Sequence, residues 1–137
     1  MIEIRLEPWT DAHIAEVNAA FAQHDKSDTS RGLMAPHECV RGGTFCRVWR
    51  DGAPVAWYVL HGAQHAHGSE AEVSLAYGRD DVDLVAEVLP LIEYQCRAFD
   101  AIRIETCRPG LIRKLKRMGY GVDAVILRKR GKHDSAS

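Results

Sequence analysis

The stretch 101-AIRIETCRPGLIRKLKRMGYGVDAVILRK-129 sets a strand, a helix and a second β-rich run in direct succession. Alternation of apolar and polar residues in 101-AIRIETC-107 predicts a strand. Leu111, Ile112, Leu115 and Met118 then recur at helical spacing, with Arg113, Lys114, Lys116 and Arg117 between them. A helix over about 111–118 buries the first set and exposes the second. Gly119 ends it, because glycine takes the left-handed conformation of a helix C-terminus without a steric cost. The run 122-VDAVILRKR-130 predicts the strand that closes the fold, and 131-GKHDSAS-137 reads as a flexible tail. The chain is thus expected to form one domain over residues 1–130.

Upstream, 70-EAEVSLAY-77 alternates as a strand with Val73, Leu75 and Tyr77 on one face. It runs through the turn 78-GRDDVDL-84 into a helical pattern over about 81–99. Leu84, Val85, Val88, Leu91, Ile92 and Phe99 form the apolar stripe of that helix. Pro90 lies inside it and removes a backbone donor, so a kink or interruption is expected. Before this come two β-rich runs, 44-TFCRVWRDG-52 and 53-APVAWYVLHG-62, whose Asp-Gly junction signals a hairpin. The second run is almost wholly apolar, as in a central strand covered on both faces. At the N-terminus, 2-IEIRLEP-8 alternates as a strand. Thr10 caps a helix over about 10–23 that carries Ile14, Val17 and Phe21 on one face. A polar loop, 24–32, and a short helix, 36–40, complete the order β-α-(α)-β-β-β-α-β-α-β. The strand–helix–strand crossover from 70 to 107 predicts a parallel pair within a mixed sheet, hence an α/β fold with helices on both faces.

The 137 residues are 46% hydrophobic, enough for one core, and carry a net charge of −1. That balance hides a split. Residues 101–137 hold ten Lys/Arg against three Asp/Glu, and residues 1–100 hold eight against sixteen. A basic C-terminal third can meet phosphates or an acidic partner, or serve only as a solvated face. Cys39, Cys46, Cys96 and Cys107 form no C-x-x-C pair and read as free, mostly buried thiols. No run of 18 apolar residues occurs and the N-terminus is charged within five residues, so a cytoplasmic protein without a membrane span is expected.

The order of elements, together with 101–129 and its Gly119-Tyr120 helix ending, resembles the GNAT fold of acyl-CoA N-acyltransferases over nearly the whole chain. The resemblance implies a mixed, mostly antiparallel central sheet with helices on both faces. It implies acyl transfer from acetyl-CoA or another acyl-CoA to an amine, of a small molecule or a protein. Backbone N–H groups near Ala76 and Tyr77 would polarise the thioester carbonyl. The turn Gly78, Arg79, Val82, Asp83 and Leu84 would meet the pyrophosphate, with Arg79 matching the first motif position. Val82 and Leu84 stand where the family places a glycine and a small residue, and the acidic residues of the turn, Asp80, Asp81 and Asp83, would repel a diphosphate. Arg108 stands near the family's asparagine and Leu115 at its thiolate-protonating tyrosine, while Tyr120 reads as packing. Glu72, with Glu70 as the other candidate, is the expected general base, and an exposed strand glutamate is the plainer account.

His61, His65 and His67 cluster ahead of Glu70 and Glu72. Their Gly, Ala and Ser neighbours are those of a turn, and no metal site is assigned. His24, Asp25 and Asp28 fall in the loop where the family places acceptors, and equally suit a solvated loop. Trp9, Trp49 and Trp57 read as packing residues. The departures in the turn and the missing tyrosine raise a second reading, a non-enzymatic protein for assembly or interaction, as a homo-oligomer or with phage assembly partners. Here the chain looks similar to small phage-encoded GNAT-like proteins, including virion proteins, for which host cytoplasm or virion would be the location. The basic C-terminal third raises a third reading, a phage nucleic-acid-modifying enzyme, though no base-stacking aromatics are interleaved.

Overall fold

The computed structural model describes residues 1–21, 34, 36–79, 81–129 and 131. Its elements are β1 (Ile2–Glu7), α1 (Asp11–Phe21), α2 (Pro36–Cys39), β2 (Thr44–Arg50), β3 (Ala53–His65), β4 (Gly68–Gly78), α3 (Leu89–Gln95), β5 (Ala101–Ile104) and α4 (Pro109–Arg117), with a π-helical turn at Leu84–Val88 leading into α3. The loop 24–32, with His24, Asp25 and Asp28, lies outside the described residues.

The strands form one sheet in the order β1-β2-β3-β4-β5. β1 to β4 pair antiparallel and β5 joins β4 in parallel, as the crossover predicts. Asp51 and Gly52 both have positive φ, 51° and 84°, which matches the twist a two-residue hairpin between β2 and β3 requires. α1 and α2 cover one face, where Val17, Val40, Phe45, Trp57 and Val59 are buried together. α3 and α4 cover the other, where Val88, Leu89, Ile92, Cys96 and Leu115 pack on Val48, Tyr58 and Val73. Each fully buried side chain of this size contributes about 1.5–3 kcal/mol, so β3, supplying both layers, is the structural spine.

A β-bulge changes the expected pattern of β4. Val59 pairs with Leu75 but Leu60 pairs with Val73, which leaves Ser74 as the extra residue. Val73 therefore faces the α3/α4 core, while Leu75 and Tyr77 pack on the α1 side. The single face expected for Val73, Leu75 and Tyr77 is split, because one inserted residue inverts a period of two.

Around Pro90 the expected kink is a π-helical turn: the Leu89 N–H reaches the Leu84 carbonyl. Pro90 then lies in the first turn of α3, where the fixed φ of proline suits the helix start. The register change also turns Leu89 and Cys96 inward and leaves Leu91 at the surface. α4 ends as predicted. Gly119 has φ 96°, its N–H reaches the Lys116 carbonyl, and the Tyr120 N–H reaches the Leu115 carbonyl. Tyr120 packs against the core and its hydroxyl donates to Glu93 at 2.9 Å.

The run 122–130 is not the expected closing strand. Residues 122–129 join no ladder, and Val122, Val125 and Leu127 are 60%, 75% and 90% exposed. β-propensity is expressed only against a partner edge, and among the described residues the sheet ends at β5. Among the described residues, β5 forms an outer edge of the sheet. Replacing Val125 and Leu127 together with Asp should therefore change the unfolding free energy of the monomer by no more than about 0.5 kcal/mol per site. Urea unfolding checks this; a loss of several kcal/mol would mean that the segment packs on the body.

Candidate active site

β4 and β5 pair from Glu70 and Ala101 to Val73 and Ile104, and then separate. β4 continues to Gly78, whereas the chain after Ile104 turns into α4. The divergence opens a cleft of about 1120 Å³ between β4, the π-helical turn and α4. A strand beside an opening directs part of its backbone N–H and C=O groups into it, so β4 offers a ladder to an extended ligand. Ser74 occupies the apex, being both the bulge residue and the first β4 residue beyond the β5 pairing.

Ala76, Tyr77, Gly78, Arg79, Val82, Asp83, Leu84 and Arg108 all line this cleft, so the structure gathers the eight residues expected to meet the cofactor. Glu72 is not among the lining residues; it projects toward Arg103, 3.6 Å away, on a neighbouring strand. Glu70 lies 3.9 Å from His65. The histidine group is not all in a turn as its neighbours suggest: β3 and β4 extend through it as a hairpin, with His61 and His65 on β3 and His67 in the turn. Leu115 is buried in the core beneath the cleft. Cys46 and Cys96 are buried too, and burial pushes both thiols up, away from the reactive thiolate form.

The acidic turn is locked from within. Asp83 Oδ1 accepts the N–H groups of Val85 and Ala86, both at 3.1 Å. The Asp83 N–H donates to Glu87 Oε2 at 2.8 Å, a reciprocal cap that occupies donors an anion would need. Cations surround these carboxylates. Arg50 reaches Asp81 at 2.7 Å and Glu87 at 3.2 Å, Arg79 reaches Asp81 at 3.4 Å, and Lys114 lies 3.6 Å from Asp83. The Ala86 N–H, with Lys114 and the Val85 N–H behind it, holds the Asp83 carboxyl below the usual aspartate range despite partial desolvation. Leu84 folds over Gly78, so close that a Cβ on Gly78 would lie 3.1 Å from it.

Across the cleft, the α4 side is basic. The lining contains five cationic side chains, Arg79, Arg108, Arg113, Lys114 and Arg117, against two carboxylates, Asp83 and Glu105. The repulsion expected from the turn's acids is thus offset, and the wall available to an anion is helix α4.

One pair was not visible in the sequence. His61 on β3 hydrogen-bonds through Nδ1 to Ser74 Oγ, and its Nε2 lies 2.8 Å from the Arg41 carbonyl oxygen. No residue pattern marks it, because the bulge that aims Ser74 leaves no periodic signature.

Solved structures match this architecture along nearly its full length. A ribosomal-protein-alanine N-acetyltransferase from Brucella melitensis biovar Abortus 2308 aligns with TM-score 0.63 at 15% identity, covering 95% of this chain and 99% of that one. Glucosamine-6-phosphate N-acetyltransferase from Arabidopsis thaliana aligns with TM-score 0.60 at 10% identity, covering 95% and 98%. A transcriptional regulator from Bacillus halodurans C-125 aligns with TM-score 0.66 at 10% identity, covering 96% and 100%. No protein-family profile and no curated protein matches the sequence. The chain has the GNAT fold, a mixed and mostly antiparallel five-stranded sheet between helices. The likeness to phage-encoded proteins gains no support from these structures. Among the described residues, no helix is long and apolar enough to cross a membrane.

The cap on the π-helical turn yields a direct test. Asp83→Ala should lower stability at neutral pH by about 0.5–2 kcal/mol, as loss of a helix cap does. Because the folded state lowers this carboxyl's pKa, its contribution is complete above the ordinary aspartate range and disappears as pH falls through the depressed value. Wild type and variant should therefore converge in urea unfolding at acid pH. A difference unchanged down to that range would show that the carboxylate is not the source.

Proposed function

We propose that the cleft binds the acyl thioester of coenzyme A and transfers the acyl group to an amine. The observation that carries this reading is the opening between β4 and β5, with a basic α4 wall beside the length of β4 that runs on past the β5 pairing. An extended pantetheine arm can take the strand position that β5 vacates, adding its amides to β4 by hydrogen bonding. The acyl carbon then falls near Ser74, and backbone N–H groups near Ala76 and Tyr77 are suited to the developing oxyanion. The phosphates are better served by Arg79, Arg108 and Arg113 than by the capped helix start, since guanidinium groups bind phosphate bidentately. The amine enters from the α1 side, where a smaller hollow lined by Glu16, Arg47, Trp57, Tyr77 and Arg79 adjoins the same length of β4.

Isothermal titration with acetyl-CoA tests this. Wild type should bind with 1:1 stoichiometry, and Arg108→Ala with Arg113→Ala should weaken binding by at least tenfold while leaving the fold intact by circular dichroism. No heat and no thermal shift at millimolar acetyl-CoA would overturn the reading.

A second reading, an interaction role for the same fold, is favoured by one observation. Val122, Val125, Ile126 and Leu127 place four exposed large apolar side chains within six residues of chain. A second copy is the partner proposed, since its β5 edge can pair with this β-rich segment and the exchange closes a two-fold dimer. Light scattering should then show a dimer that Val125→Asp with Leu127→Asp converts to monomer. A wild-type monomer throughout the micromolar range would remove this reading.

A further inference from the structure

We infer that Ser74 is a nucleophile activated by His61, so that acyl transfer in this cleft proceeds through an acyl-serine. This rests on the proposed thioester site and adds a covalent step to it. Three observations converge on the pair. Ser74 lies in the cleft wall at the apex, where the β4–β5 ladder stops. It is the bulge residue of β4, and a bulge re-aims a side chain that regular pairing would place otherwise. Its Oγ is hydrogen-bonded to Nδ1 of His61, one register position along the neighbouring strand from the bulge.

The third member fixes the chemistry. A carbonyl oxygen can only accept, so His61 Nε2, 2.8 Å from the Arg41 carbonyl, carries a hydrogen. In the neutral ring Nδ1 then holds the lone pair and accepts the Ser74 hydroxyl. Nucleophile, base and a group that orients the base stand in the sequence that activates a serine, with a backbone carbonyl in the orienting place. Packing holds the ring there: a Cβ on Gly43 would approach His61 Cε1 to 2.8 Å, so only glycine leaves room at that position. Glu72, the carboxylate candidate, is engaged with Arg103 and is absent from the cleft lining, whereas His61 reaches the cleft through its hydrogen bond to Ser74, which lines it.

The reaction balances without a further reagent. Ser74 Oγ attacks the thioester carbonyl carbon and its proton passes to His61 Nδ1. The tetrahedral intermediate collapses with cleavage of the C–S bond, and the leaving thiolate recovers the proton from the imidazolium. The ester so formed is then attacked by the acceptor amine, or by water in its absence. His61 takes the acceptor's proton and returns it to Ser74 Oγ as the C–O bond breaks. The chain is thus equipped for slow thioester hydrolysis when no amine is present.

Intact-protein mass spectrometry after mixing with excess acetyl-CoA tests the step. One acetyl group should appear and map to the peptide containing Ser74. Ser74→Ala should abolish it, Ser74→Cys should restore an adduct as a thioester, and His61→Gln should slow acylation by about 100-fold, the scale of a lost general base. Acetyl-CoA affinity should remain within threefold of wild type in all three. Retained affinity with no adduct, or Ser74→Ala turning over as wild type does, overturns the inference and leaves the proposed function standing. p-Nitrophenyl acetate separates the two further, because it needs no coenzyme site. A stoichiometric nitrophenol burst in wild type that Ser74→Ala lacks supports the dyad even if acetyl-CoA fails to bind; no burst in wild type overturns it.

Discussion

The structure turns on one extra residue. Ser74, inserted into β4 opposite the Val59/Leu60 step, lets the strand change which side chains face which layer while keeping its place beside β3. Before the bulge, Val73 belongs to the core under α3 and α4; after it, Leu75 and Tyr77 belong to the core under α1. The β5 pairing ends at the same point. A regular β4 would present one unbroken face to each layer and give β5 no reason to part from it. The bulge therefore couples packing, the opening of the cleft and the aim of the Ser74 hydroxyl, and it does so at one position.

Electrostatics around the cleft are arranged as two opposed sides with different tasks. On one, the carboxylates of Asp81, Asp83 and Glu87 close the start of the π-helical turn on itself, with Arg50, Arg79 and Lys114 beside them. These groups are partly exposed, so the individual ion pairs contribute little, and the cap is the larger effect. On the other, Arg108 at the N-cap of α4 and Arg113 and Arg117 on the helix line the cleft. The donors of the turn are thus engaged by its own carboxylates, and the cationic side chains of the cleft lie mainly along α4.

Much of the fold was legible because its signals are local. The Asp51-Gly52 hairpin, the Thr10 start of α1 and the Gly119 end of α4 each depend on one or two residues whose backbone preferences are strong. The eight residues expected to meet a cofactor could be placed in one cleft because they follow from element order and a resemblance, which need no atomic detail. What was not legible depends on pairing between distant segments. A bulge has no period, so neither the split face of β4 nor the Ser74–His61 contact could be read. The π-helical turn at Pro90 shifts the stripe of α3 by an amount no helical wheel contains. Residues 122–129 have strand composition but join no ladder, and composition alone does not supply an edge.

The central claim is that the opening beyond Ser74 is a thioester site whose phosphates are held by α4. A crystal structure of the protein with coenzyme A tests it most directly. The account predicts the pantetheine arm along β4 between Ser74 and Gly78, the sulfur near Ser74 Oγ, and the phosphates on Arg108 and Arg113 with the Asp83 cap intact. A coenzyme bound away from this cleft, or phosphates seated on the N–H groups of Val85 and Ala86 with Asp83 displaced, would contradict it.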